Sequence, residues 1–358
     1  MNEDAGWHTL CVSYYDEHAQ SDLLLDAVRP LFAEVSGEVA AAYFVRHWRR
    51  GPHLRLNFRT TGERMREVVR PAVDRRVGAF LRDHPSTSAV DPESLLPTYR
   101  RLAEIEQEDG PLWPPRPDNH VCTEPYDSRA HVLGGQEASE LFADFYTTAN
   151  AAAFAALDAV RCGEQRLWAG FALMAATAHV FSGRGVTAGF VSLRAHAEIH
   201  LARSTVQQRE RAAWDRLYRD ARPALCARLT RAVSAWEETP YLRAWIDALR
   251  AVEERGFAMV DSDGVDMNQR ILPSRGTTAF LQELIADEDF RTRMKPSAPF
   301  RHYRLVVNLL YLQLTRLGIR ASERHLLGHL LANTVEDLQG VDAMTLIRKY
   351  SAEVPRPS

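Results

Sequence analysis

Residues His53 to Phe58 alternate without a break: Leu54, Leu56 and Phe58 are apolar, while His53, Arg55 and Asn57 are polar. An extended strand, whose side chains point in turn to two faces, sorts such a stretch into a core face and a charged face. A chain that contains it must build a sheet. Gly51-Pro52 precedes this strand, and Val39 to Val45 reads as its partner, joined by a loop longer than a tight two-residue hairpin. Arg46, His53, Arg55 and Asn57 then form either an ordinary solvated face or a surface for an anionic or carbonyl-rich ligand. Guanidinium forks donate to carboxylates and to amide carbonyls alike.

Neighbouring segments extend the layer. Trp7 to Tyr15, rich in aromatic and β-branched residues, reads as a strand. Ser21 is read as the N-cap of a helix from Asp22 to about Val35, weakened or kinked at Pro30. Thr61 opens a second helix, Glu63 to about Arg82, with Pro71 inside it. Asp83 to Pro92 reads as a surface loop, Glu93 to Glu108 as a helix and Asn119 to Tyr126 as a strand. Between the last two, Asp109 to Pro117 is too proline-rich for regular structure.

From Gln136 onwards the periodicity is helical, over segments 137–161, 165–182, 204–230, 241–254, 277–287, 302–317 and 322–335. Together these readings imply an α+β fold. A mixed or antiparallel sheet lies in the N-terminal part, about 1–135, and packs with a predominantly helical part, about 136–350. No long flexible linker separates them, which predicts one composite domain over 1–358.

Composition narrows the function classes. With 46% apolar and 25% charged residues the chain is globular, not disordered. A net charge of -3 gives no overall attraction to nucleic acid. A polar, acidic start is unlike a signal peptide, and no run of 18 apolar residues occurs, so a cytoplasmic protein without a membrane span is expected. Cys11, Cys122, Cys162 and Cys226 form no CxxC pair, which leaves a zinc ribbon or a dithiol redox centre unsupported. GRGVTAG from Gly183 lacks the lysine and spacing of a phosphate loop, and no GxSxG elbow occurs.

Three further places could carry chemistry. In SLRAHAEIH, His196 and His200 lie four apart and share a helix face, but HAEIH is not HExxH and no third metal ligand is defined, so no metal is expected. In NLLYLQLTRLG, beginning at Asn308, Leu310, Leu314 and Leu317 make an apolar stripe, and Tyr311 is either a core aromatic or a proton donor. His325 and His329, set among leucines, read as partly buried structural histidines.

These landmarks also carry a resemblance. FVRHWRRGPHLRLNF, from Phe44, resembles the GPHLRLRF-type signature of the elimination-type C-terminal domain of class I lanthipeptide dehydratases and of their stand-alone thiopeptide relatives. YDSRAHVLGG, from Tyr126, resembles a second family segment through Tyr126, Gly134 and Gly135, and SLRAHAEIH places His196 on a family histidine. NLLYLQLTRLG aligns Leu309, Leu310, Arg316 and Leu317 with a third landmark.

Ser128 and Val132 stand where eliminating relatives have arginines, and Tyr311 stands where they have a histidine. The resemblance therefore implies a thiopeptide pyridine synthase. Such an enzyme joins two dehydroalanines of a dehydrated, azole-containing precursor peptide in a formal aza-[4+2] cycloaddition, then loses water and the leader peptide. On this reading Tyr311 and His196 are catalytic, and Arg46, His53, Arg55 and Asn308 hold the substrate. Neither cofactor nor nucleic acid is required. Competing readings are a stand-alone glutamate-eliminating lyase and a non-catalytic precursor-binding partner. The chain is too short for the large glutamylating domain, which predicts a free-standing relative.

Overall fold

A computed structural model describes residues 5–88, 91–265 and 276–355. Part of the loop expected at Asp83 to Pro92 lies outside these residues. The chain divides into two compact units, one running to Asp158 and including Arg316–Gly318, the other comprising Ala159–Thr315 and Ile319 onwards. The fold is α+β, as expected.

The first unit is built on one antiparallel sheet of order β2-β3-β1-β4, formed by β1 (Gly6–Ser13), β2 (Ala41–His47), β3 (His53–Thr60) and β4 (His120–Glu124). Leu54, Leu56 and Phe58 of the central strand β3 are fully buried. Helices α1 (20–35) and α2 (62–83) belong to the same unit, and Phe32 of α1 meets Phe58 edge-on at 5.7 Å between ring centres. Each such side chain contributes roughly 1.5–3 kcal/mol on burial.

Both helices adapt to their prolines in one way. A five-residue π-helical turn, Leu24–Val28 in α1 and Met65–Val69 in α2, stands directly before Arg29-Pro30 and Arg70-Pro71. The wider turn makes room for a ring that would otherwise strike the carbonyl of the preceding turn. Thr61 caps α2 as expected, accepting from the Arg64 amide at 3.2 Å. Ser21, however, is not the cap of α1. Ala19 occupies that place without a side-chain cap, and the Asp16 carboxylate accepts from the amides of His18 and Ala19 in the turn that leads into the helix.

The second face of β3 departs most from expectation. His53 is 0% exposed, Asn57 4% and Arg55 7%, so this face is interior and not solvated. Segment 106–129 and the side chains of β1 and β2 bury it. Helices α3 (Leu96–Glu106), α4 (Gln136–Thr148) and α5 (Asn150–Arg161) follow. A single helix was expected over 137–161. It breaks at Ala149, just after Thr147 and Thr148 turn their hydroxyls back onto carbonyls of α4.

In the second unit, α6 (Arg166–Phe181) is buried on every side from Ala169 to Ala178. Packed on it are α7 (Val186–Arg203), α8 (Gln207–Ser234), α9 (Pro240–Asp261) and α12 (Ala321–Gln339). The helices α10 (Ala279–Ala286), α11 (Ala298–Arg316) and α13 (Ala343–Glu353) complete the order, of which α7 and α13 were absent from the helical segments read by periodicity. Trp245 of α9 donates its indole N–H to the Thr177 hydroxyl at 2.8 Å, so this buried indole is paired. Gly189 lets α7 approach α6 closely: an added Cβ would stand 2.3 Å from the Ala178 carbonyl oxygen. Among the described residues no helix is long and apolar enough to cross a membrane.

Candidate functional site

The helical unit brings Tyr311 and His196 together across 115 positions of sequence. The phenolic oxygen of Tyr311, on α11, lies 2.7 Å from His196 Nδ1, on α7. Leu310 and Leu314 on α11, with Leu317 just past its end, make the expected apolar stripe, all of them buried. The opposite stripe of the same helix is polar, because Arg304, Asn308, Tyr311 and Thr315 recur at intervals of four, three and four. Asn308 therefore sits one turn before Tyr311 on the same face, half-buried.

Cations surround this pair. The Arg324 guanidinium lies over the Tyr311 ring, 4.6 Å from its centre. Burial first, then the charges of Arg324 and Arg304, lower the His196 imidazole to about 4, so it is neutral at physiological pH. Burial pushes the Tyr311 phenol up, and Arg324 opposes that shift. Both groups are thus uncharged within a positive field, an arrangement that favours negative charge developing on a nearby oxygen. For Tyr311 to offer its proton outward, His196 must donate from Nδ1 to the phenol oxygen. That leaves His196 Nε2 as an acceptor.

His325 and Arg324 were not singled out as site residues, yet they belong to this group. The His325 ring meets Tyr311 edge-on at 6.4 Å and stacks on His200 at 4.8 Å. Its Nδ1 is buried without a hydrogen-bond partner among the described residues. Only a spacing signal could have found it: His325 and His329 lie four apart on α12, and the two have different fates. His329 is 1% exposed and bonded to Asp215 at 2.9 Å and Asn333 at 3.0 Å, the structural role expected of it. Nearby acids are engaged elsewhere, Glu198 with Arg211 and Glu210 with His200.

The neutral His196 makes stability depend on pH. Folded, its imidazole takes no proton until pH falls to about 4, whereas an unfolded histidine does so near 6.5. The unfolded chain therefore binds more protons in this window, and stability falls as pH is lowered. Between pH 7 and pH 5 this residue accounts for a loss of about 2 kcal/mol. Urea unfolding at the two pH values measures it, and His196→Gln should shrink the difference; equal losses in both proteins would refute the assignment.

The sheet residues fare differently. The register pairs Arg46 with Leu54 and Val45 with Arg55, so Arg46 lies on the face opposite His53 and Arg55. Arg46 donates to the Arg316 carbonyl at 2.9 Å, to Gln20 at 2.7 Å and to Ser21 at 3.2 Å. Arg55 pairs with Asp127 at 3.4 Å, and His53 Nδ1 lies 2.9 Å from the Gly51 carbonyl. Burial and the charges around His53 hold its imidazole well below the usual range. Outward of this buried layer a cleft of about 780 Å³ is lined by Arg49, Arg116, His120, Cys122 and Glu124, among others.

Comparison with known proteins adds the family context. The lantibiotic biosynthesis dehydratase C-terminal family matches residues 7–335. Among solved structures, a pyridine synthase, TbtD, from thiomuracin biosynthesis is 37% identical, covers 93% of this chain and 99% of its own, and superposes with a TM-score of 0.76. TsrL is 22% identical with a TM-score of 0.73, covering 99% of this chain and 100% of its own, and shares the fold. A tRNA-dependent lantibiotic dehydratase, MibB from Microbispora sp. 107891, is 17% identical with a TM-score of 0.50, and the match spans 95% of this chain but 29% of that one. No curated protein matches.

Proposed function

Since the chain belongs to the lantibiotic biosynthesis dehydratase C-terminal family, we propose that it is a thiopeptide pyridine synthase, acting on a dehydrated, azole-bearing precursor peptide. The observation that carries this reading is the Tyr311–His196 pair, uncharged and flanked by Arg304 and Arg324. Its 37% identity to a pyridine synthase supports the same conclusion.

A formal aza-[4+2] closure asks an enzyme for three things. It must fold the peptide so that the two dehydroalanines meet, which lowers the barrier through proximity. It must favour the imidic form of one amide, in which a proton moves to oxygen and another leaves nitrogen. It must then move protons while water and the leader peptide depart. A phenol that donates beside an imidazole that accepts can serve the second and third needs together. Tyr311 gives its proton to the amide oxygen, recovers one from His196 Nδ1, and Nε2 accepts the proton released. Arg304 and Arg324 favour the developing negative charge, and Asn308, one turn away, orients a peptide carbonyl. We assign Arg46, His53 and Arg55 to the sheet unit, where the half-buried Arg46 bonds to Arg316, Gln20 and Ser21 and the buried Arg55 pairs with Asp127. Four free thiols fit a reducing cytoplasm.

The lyase reading is disfavoured because Ser128 and Val132 occupy the places of arginines in eliminating relatives. Mass spectrometry after incubation separates the alternatives. A dehydrated, azole-containing peptide should yield a macrocycle and free leader, and its glutamylated counterpart should keep its glutamate. Loss of glutamate would instead establish the lyase, and two unchanged peptides a precursor-binding partner.

A further inference from the structure

We propose that Cys11 and Cys122, 111 positions apart in sequence, form a reversible dithiol–disulfide pair that fastens β4 to β1 when the protein meets a hydroperoxide. The register of the sheet sets Cys11 directly opposite Cys122 on adjacent antiparallel strands. Directly opposed residues have Cα atoms about 4.5–5.5 Å apart, within the span a disulfide bridges without moving the backbone. No CxxC spacing announces the pair; the sheet assembles it.

The two sulfurs have different surroundings and so different parts to play. Cys122 is partly exposed and lines the 780 Å³ cleft beside Arg116 and His120, where a small oxidant can enter. Cys11 is fully buried behind it, and its thiol donates to Glu124 Oε2 at 3.4 Å. The adjacent Cys11 thiol and the charge of Arg116 lower the Cys122 thiol to about 6, against burial, while the proximity of Cys122 and burial keep Cys11 protonated. Cys122 is therefore the attacking thiolate and Cys11 the resolving thiol.

The Cys122 sulfur attacks one peroxide oxygen, the O–O bond breaks, and the departing hydroxide takes a proton to become water. Cys11 then passes its proton to Glu124 as its sulfur displaces the sulfenic oxygen of Cys122. That oxygen leaves as a second water, carrying away the Glu124 proton. Two electrons from two thiols thus reduce one hydrogen peroxide to two waters, and a dithiol reductant reverses the change.

Brief exposure of the full-length protein to hydrogen peroxide, followed by maleimide labelling under denaturing conditions and mass spectrometry, tests this. The expected product is 2 Da lighter before labelling, takes two maleimides where the reduced chain takes four, and yields one linked peptide pair containing Cys11 and Cys122. Dithiothreitol restores four. Cys162→Ser, at the exposed thiol, keeps the linkage, and Cys122→Ser abolishes it. Four labelled thiols after oxidation, a sulfinic acid at Cys122 without a link, or linkage through Cys162 would each overturn the proposal.

Discussion

Replacing Tyr311 with Phe should lower the rate of ring closure by about a hundredfold or more, in the range that a positioned proton donor contributes, while peptide binding stays nearly unchanged. The substitution removes one oxygen and keeps the ring on which Arg324 rests, so packing is preserved and the change reads chemistry. It also leaves His196 Nδ1 without the phenol that it meets at 2.7 Å. Single-turnover assays with a dehydrated peptide, paired with a binding measurement, separate the two effects. His196→Gln should cost a similar factor, and the double variant little more than either alone, because residues that act as a unit are not additive. A Tyr311→Phe protein that folds and cyclises at full rate would remove the phenol from the reaction and return Tyr311 to the core.

The largest structural effect is expected at Gly189. A methyl group there would stand 2.3 Å from the Ala178 oxygen, 2.6 Å from its Cα and 2.8 Å from its carbonyl carbon. These are backbone atoms of a helix buried on all sides, with no rotamer to yield. Moving α7 away would also stretch the bond from the buried Tyr303 hydroxyl to the Gly189 carbonyl, 2.9 Å long. Gly189→Ala should therefore cost about 3 kcal/mol, the upper end for overpacking, read as a lower urea midpoint with unchanged slope. Gly37 is the control: an added Cβ meets nothing within 4 Å, so Gly37→Ala should change stability by about 0.5 kcal/mol or less. Equal effects at the two positions would show that α6 and α7 separate freely.

Much of the fold could be read from local pattern. Strict alternation identified β3, and helical periodicity found most of the second unit, because both signals report side-chain direction within one element. Register was not legible. Whether Arg46 joins His53 or opposes it depends on how many residues the Trp48 to Pro52 loop spends in turning, and the structure pairs even positions of β2 with even positions of β3. Nor could alternation within β3 reveal that the polar face would be buried, since residues 109–117, which help to cover it, are proline-rich and carry no periodic signal. At the site, family likeness singled out Tyr311 and His196, and the structure sets them 2.7 Å apart. Arg324 escaped notice, and His325 was read only as a structural histidine, because both join the group through side-chain contacts between α11 and α12 that no spacing encodes. Gly189 lay within a stretch considered only as a failed phosphate loop, though its purpose is a close approach between helices.

Arg316–Gly318 belong to the sheet unit although the residues on either side belong to the other. Arg316 is 1% exposed, lies 4.2 Å from the centre of the Phe44 ring, and donates to the Tyr146 carbonyl at 3.2 Å and to the Asn150 side chain. A fragment ending at Asp158 would leave those acceptors and that aromatic ring uncovered. Neither half can be traded as a cassette: any chimera that swaps the front of this chain for a cousin's must also transplant three residues from near its far end.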